Sequence, residues 1–263
     1  MVKKNMSRLI DKLKKLSQIT PTPMGFRTSK PAEAGSPLLI IGRTVLKTTA
    51  SAARSNSGAD AVLVYADKSE LTAVSAQKTA KAFGDIPWGV YLEESDEAAT
   101  ALVEAGCDFV VFSPTVRITD LPQDEKTGKI VQVDSSMDDG LLRAINDLPA
   151  DAVLVTDYLE GNETLTIHQL MIYRHLANFI AKPLIVPVAA NITKAELKAL
   201  QDVEIDGVMA EMDGENLKEL RETIGKLPPR SAKKRDRAGV RLPRPTGESA
   251  TIAPPDEEEE EDE

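Results

Sequence analysis

The sequence predicts a (β/α)8 barrel: an α/β fold of eight parallel strands closed on themselves, with an amphipathic helix before it and a disordered, charged tail after it. Three observations carry this expectation. Eight short apolar runs recur between residues 37 and 227, their starts 21 to 32 residues apart. The runs are apolar throughout rather than alternating, so they suit a parallel sheet covered on both faces. The stretches between them repeat their apolar residues at helical spacing, and strands that alternate with helices read as right-handed βαβ units. A doubly wound open sheet is the alternative, but eight units in about 190 residues favour closure.

The elements follow in chain order. Residues 2–18 place Met6, Ile10, Leu13 and Leu16 on one side and lysines elsewhere, an amphipathic helix of about four turns. Such a basic helix either lies on an acidic membrane or packs under the closed end of its own barrel; the second is expected. Residues 20–36 are rich in Pro and Gly and read as a loop. The strands are predicted at Leu38–Gly42, Ala61–Tyr65, Trp88–Leu92, Phe109–Ser113, Ile130–Asp134, Ala152–Asp157, Leu184–Ala189 and Gly207–Glu211. Helices are predicted over 72–84, 95–106, 137–148, 166–181, 192–201 and 215–225. Ser95 and Asp138 suit the N-cap, and Gly84, Gly106 and Gly225 suit the residue after a helix end. The domains are therefore 1–36, a helix and loop; 37–227, the barrel; and 228–263, the tail. From Pro228 the chain is dominated by Pro, Gly, Ser and charge, too little apolar surface to offset the entropy of ordering. A basic block, Arg230 to Arg244, precedes an acidic one, Asp256 to Glu263, a pattern that suits docking to a protein partner.

Composition excludes several classes. One cysteine among 263 residues rules out a disulfide framework and a cysteine-rich zinc site. No run of about 18 apolar residues exists, so no membrane span is expected. The N-terminus lacks a long apolar stretch before a small-residue cleavage site, which points to a cytoplasmic protein. The formal net charge is −10, and residues 17–227 are more acidic still, because residues 1–16 set six basic side chains against Asp11 alone. An acidic body repels phosphate backbones, so the barrel is not expected to bind nucleic acid.

In such barrels the site lies where the strands end. The residues there are Arg43 after the first run, Asp67 and Lys68 after the second, and Glu93 after the third. Asp134 ends the fifth, Asp157 the sixth and Glu211 the eighth, while Asn191 and Thr193 follow the seventh. Hard oxygen ligands around one opening suit Mg²⁺ or Mn²⁺, with Glu93, Asp134 and Glu211 as the metal set. Carboxylates beside a lysine also suit proton abstraction next to a carbonyl, with Glu93, Asp134, Asp157 and Lys68 as the catalytic set. Asp and Glu are equally common at such turns as helix caps, and the sequence leaves that reading open. Arg43 would meet a substrate anion, with Asn191, Thr193 and Gly214 as backbone or hydroxyl donors to a phosphate. Cys107 sits at a helix–strand joint on the closed face and reads as structural. His168 and His175 share one side of an outer helix and read as surface or interface residues. That helix, with Leu165, Ile167, Leu170, Met171, Ile172, Tyr173, Leu176, Phe179 and Ile180, has more apolar surface than one buried stripe needs, which points to a homo-oligomer.

Two stretches resemble known families. Residues 96–114, DEAATALVEAGCDFVVFSP, are similar to the helix-to-strand passage of the KDPG/KHG aldolases and their relatives. The joints Gly58–Asp60, Gly106–Asp108 and Ile205–Gly207 resemble the AGAD turn that leads into strands of many TIM barrels. The wider resemblance is to the phosphate-binding class of (β/α)8 TIM barrels. It implies a lyase or isomerase acting on a small phosphorylated or carboxylated metabolite. The chain departs from that class where its chemistry sits: the sixth run, AVLVTD, lacks the Schiff-base lysine, and the glycine-rich phosphate turns after runs seven and eight are missing. Pro23-Met24-Gly25 is similar to a turn of flavin-dependent barrels, but the missing glycine turn argues against FMN. A non-catalytic barrel that binds a partner through its charged termini is therefore the second expectation.

Overall fold

A computed structural model describes residues 7–17, 36–49, 58–66, 72–93, 99–156, 164–212 and 216–230. Met1–Lys233 form one compact unit; the second unit, Lys234–Glu263, lies outside the described residues, and so does the expectation of a disordered tail there.

Eight parallel strands close into a barrel in sequence order. They are β1 (Leu39–Val45), β2 (Ala61–Tyr65), β3 (Trp88–Leu92), β4 (Phe109–Phe112), β5 (Gly128–Val133), β6 (Ala152–Val155), β7 (Leu184–Pro187) and β8 (Gly207–Glu211). The seam pairs Leu39 with Gly207 and Arg43 with Glu211. The first strand outruns its apolar run, because Arg43, Thr44 and Val45 stay in register with Leu63, Val64 and Tyr65. Polar residues at the strand's end hid its true length.

Seven α-helices occur among the described residues: α1 (Arg8–Ser17), α2 (Ala73–Phe83), α3 (Ala99–Glu104), α4 (Asp139–Ala144), α5 (Ile167–Phe179), α6 (Lys194–Asp202) and α7 (Asn216–Gly225). Asp138 caps α4, accepting from the amides of Gly140 and Leu141. Gly84 and Gly106 take positive φ after α2 and α3. Gly225 does not, because helical turns continue to Leu227 through bonds from Lys226 and Leu227 to Thr223 and Ile224. Ser95 lies outside the described residues. Between β4 and β5 the described chain forms a 3-10 turn at Ile118–Asp120 instead of an α-helix, with Val116 and Leu121 covering the strands.

Alternation along each strand separates two cores. Outward residues such as Ile40, Val62, Val110 and Val186 meet the helices. Inward residues such as Leu39, Ile41, Leu63, Ile130 and Met209 fill the barrel together with Leu9, Ile10 and Leu13 of α1. The basic helix thus plugs its own barrel, with those three side chains at most 1% exposed. Each such burial stabilises by about 1.5–3 kcal/mol. Two glycines make room inside. A Cβ on Gly89 would meet the Phe109 ring at 2.4 Å, and one on Gly128 would meet Ile10 Cγ1 at 2.6 Å.

The same end carries a recurring device. An aspartate precedes every even-numbered strand: Asp60, Asp108, Asp151 and Asp206. Each donates its amide to a carbonyl near the start of the preceding strand, on Ile40, Trp88, Lys129 and Leu184, over 2.6 to 2.9 Å. Asp60, Asp151 and Asp206 accept the amide of that same residue on their carboxylates. Asp108 instead accepts from Ser7 Oγ and the amides of Arg8 and Leu9, and so caps α1. Each carboxylate also meets a cation: Arg221 and Lys12 at Asp60, Arg8 at Asp108, Lys14 at Asp151 and Arg230 at Asp206. Arg230, which composition assigns to the tail, is buried there. Its guanidinium also donates to the Ile205 carbonyl, and Gln201 donates to the Pro228 carbonyl. Residues 228–230 therefore belong to the barrel, held by a buried ion pair that composition does not reveal.

Candidate functional site

Counting by two up each strand from the apolar interior leads to a polar tier at the carboxyl ends. Above Ile41 stands Arg43, above Leu63 Tyr65, above Gly89 Tyr91, above Ile130 Gln132, and above Met209 Glu211. The tier is joined side chain to side chain. Arg43 pairs with Glu211 at 2.9 Å and lies 4.6 Å over the Tyr65 ring. Tyr65 stacks on Tyr91 with centroids 4.9 Å apart. The Tyr91 hydroxyl donates to Gln132 Oε1 at 2.5 Å. Burial, and after it the charge of Glu93, push the Tyr91 phenol above its ordinary value, while the bond to Gln132 pulls the other way. Tyr91 is therefore a neutral donor at physiological pH.

The expected residues divide. Arg43 and Glu211 meet, so the arginine's charge is shared with a carboxylate of its own chain. Glu93 stands exposed two residues beyond Tyr91. Asp134 accepts the Ser136 amide at 2.7 Å, and bonds to the Ser136 side chain and amide hold its carboxyl below its ordinary value. Asp134 thus stays ionised and steadies its own turn. Among the described residues no three His, Cys, Asp or Glu side chains are placed to hold a metal ion. Glu93, Asp134 and Glu211, all described, are therefore not gathered into the expected metal set: Asp134 caps a turn, Glu211 pairs with arginine and Glu93 faces solvent.

Thr193 is the N-cap of α6. Its hydroxyl accepts the Glu196 amide, and Glu196 Oε2 accepts the Thr193 amide and hydroxyl at 2.7 and 2.6 Å. The other Glu196 oxygen accepts the Leu165 amide at 2.8 Å. Burial pushes the Glu196 carboxyl up, but the bonds from Thr193 and Leu165 outweigh it and hold it below its ordinary value. Thr193 and Glu196 thus form a reciprocal capping box at the amino end of α6. Asn191 is exposed in the turn before it. Lys68, Asp157 and Gly214 lie outside the described residues.

Cys107 is buried, and burial pushes its thiol up to about 12, which leaves it a packing residue. His175 pairs with Asp139 at 3.0 Å on the outer surface. Sequence reading missed Tyr65, Tyr91 and Gln132, because they sit inside apolar runs. Parity counting within each run is the signal that finds them.

No protein-family profile matches this chain, and none of the curated proteins matches its sequence. Solved structures do match. KGPDC from Streptococcus mutans, solved in complex with a ligand, superposes with a TM-score of 0.53 at 13% identity, over 72% of this chain and 96% of its own. A mutant tryptophan synthase α-subunit from Pyrococcus furiosus gives 0.53 at 12% identity, over 73% and 98%. A structure of the tryptophan synthase a2b2 complex from the same organism gives 0.52 at 12%, over 73% and 98%. At such identity the likeness shows the fold: this chain is a (β/α)8 TIM barrel of the architecture those proteins share. No described helix is long and apolar enough to cross a membrane.

Proposed function

We propose that this chain binds a small polar metabolite at the carboxyl-terminal mouth of the barrel and performs acid–base chemistry on it, as a lyase or isomerase. The observation that carries this reading is the connected tier Arg43–Tyr65–Tyr91–Gln132 above a closed apolar interior. Barrels of this kind place their chemistry at that end and their stability at the other. Tyr91, held neutral, is suited to give a proton or hydrogen bond, and Glu93 beside it to take a proton. Asp157 and Lys68 would add to that set from beyond the described residues. A Mg²⁺ or Mn²⁺ ion would need ligands from there as well. The KGPDC neighbour, solved with its ligand, supports a ligand-binding barrel. The a2b2 complex of another neighbour, with Ile167 and Met171 exposed on α5, supports assembly with a second chain.

The test is thermal unfolding with a panel of sugars, sugar phosphates and keto acids, repeated with Tyr91→Phe and Gln132→Leu. A ligand at about 100 times its Kd stabilises by about 2.7 kcal/mol. The expected result is a raised melting temperature in the parent that both variants abolish. The second reading, a non-catalytic barrel, draws on the Glu196 carboxylate bonded at the N-cap of α6 and on the Arg43–Glu211 pair, in which groups suited to a ligand are bonded within the chain. It expects the panel to leave unfolding unmoved.

A further inference from the structure

We infer that Gln132 is a positioning residue whose amide turns over: at rest it accepts the hydrogen bond of Tyr91, and it gives one back when Tyr91 hands its proton to a ligand. This rests on the mouth being a site of acid–base chemistry, as proposed above, and names what lets Tyr91 serve there as an acid.

The direction at rest follows from distance. Tyr91 Oη and Gln132 Oε1 are 2.5 Å apart. That suits O–H···O and is too short for N–H···O, so the oxygen end of the amide faces the phenol. A phenol has one proton, and here it points at Gln132. In that state Tyr91 meets a ligand with lone pairs alone. To give its proton, the hydroxyl must swing toward the ligand, which leaves two bare oxygens facing each other. Half a turn of the amide relieves this and brings Nε2–H to the same phenol oxygen. The O–H bond then breaks with its electron pair kept on Oη, and the proton bonds to a lone pair of the ligand.

The surroundings allow the turn. Among the described residues nothing bonds Gln132 Nε2, so the turn gives up one bond and makes one. The torsion that carries the amide is broad and roughly two-fold. Tyr91 pairs in register with Val111 of β4, and Val111 with Ile130, so Gln132 stands one inward step nearer the mouth than Tyr91. Both side chains are half-buried, at the border between the apolar interior and the opening. Glu93, two residues on, is the charge that opposes loss of the proton, while Tyr65 stacks on the ring with Arg43 over it. The chain therefore needs a donor at that oxygen, and the turned amide supplies it.

The experiment places a fluorinated tyrosine, whose phenol ionises below tyrosine's, at position 91 of the full chain. Its fluorine resonance is followed with pH, without ligand, in the parent, Gln132→Leu and Gln132→Met. An amide that turns over bonds both forms of the phenol and the charged one more strongly. Both variants should then raise the midpoint by about one pH unit, the scale of a hydrogen bond to a charged group. An amide fixed as an acceptor supports the neutral phenol alone, and its loss lowers the midpoint. A midpoint lowered or unmoved overturns the inference and leaves the reading of the mouth, which the metabolite panel tests, standing. Should neither variant fold, the side-chain amide protons of Gln132 are followed in the parent through the same midpoint. One of them should move downfield as the phenolate forms, and both unmoved overturns the inference.

Discussion

The two ends of the barrel handle charge in opposite ways. At the closed end every aspartate that precedes an even-numbered strand has a cation beside it and backbone amides on its oxygens, and α1 seals the space between them with three buried side chains. At the open end Arg43 pairs with Glu211, and no described cation is bridged to Glu93 or Asp134. The difference shows where the chain has spent its interactions. The first end spends its aspartates on cations and backbone amides, and so adds stability. The other keeps donors and acceptors in hand, the condition for meeting a ligand.

Substitutions that act on one end alone test this contrast. The largest effect is expected from Arg230→Ala, which leaves Asp206 buried without its cation. Breaking such a pair costs about 3–5 kcal/mol, measured by urea unfolding, and Arg230→Lys should recover only part of it. Leu13→Ala, which hollows the plug, should cost about 2–5 kcal/mol in the same assay, while ligand response at the mouth persists in the protein that remains folded. If either floor variant kept full stability, the division of labour between the ends would fall. At the mouth, Tyr91→Phe should cost only about 1 kcal/mol of stability while removing the ligand response.

A smaller effect should come from pH. The Glu196 carboxyl is held below its ordinary value in the folded chain, so its contribution is full above the unfolded carboxylate value and is lost as pH falls through the folded one. Glu196→Gln should therefore lower stability at about pH 7 and have less effect at about pH 3, read by urea midpoints at both. The smallest effect concerns Cys107. With its thiol raised to about 12 by burial, it should resist alkylation at mildly alkaline pH in the native protein and react once urea unfolds it.

Much of the barrel was legible in the sequence because continuous apolar runs mark strands covered on both sides. Ala61–Tyr65, Trp88–Leu92 and Gly207–Glu211 begin and end where their runs do. Strands that end in polar residues were not: β1 was read three residues short because Arg43 broke the run, although that residue is the start of the polar tier. Local pattern also found the caps at Asp138, Gly84 and Gly106, which depend on neighbours in sequence. It could not find Arg230, whose partner lies 24 residues back and whose surroundings in sequence look like a tail. It could not read the bonds of Thr193 and Asp134, because a capping threonine and a turn-forming aspartate look in sequence like one that meets a ligand. The bonds to Ser136 and Glu196 become visible only in the structure.

The amides of Asp60, Asp108, Asp151 and Asp206 each bind an even strand to the odd strand before it, while the carbonyls of Asp108 and Asp206 carry the ladder on to β5 and β1. The aspartate amides thus mark the wall as four doublets. A backbone nick or a permuted terminus at 121–126, between the second doublet and the third, cuts no such stitch. Two fragments made there would each carry two finished doublets, and the broken chain should reassemble from its halves.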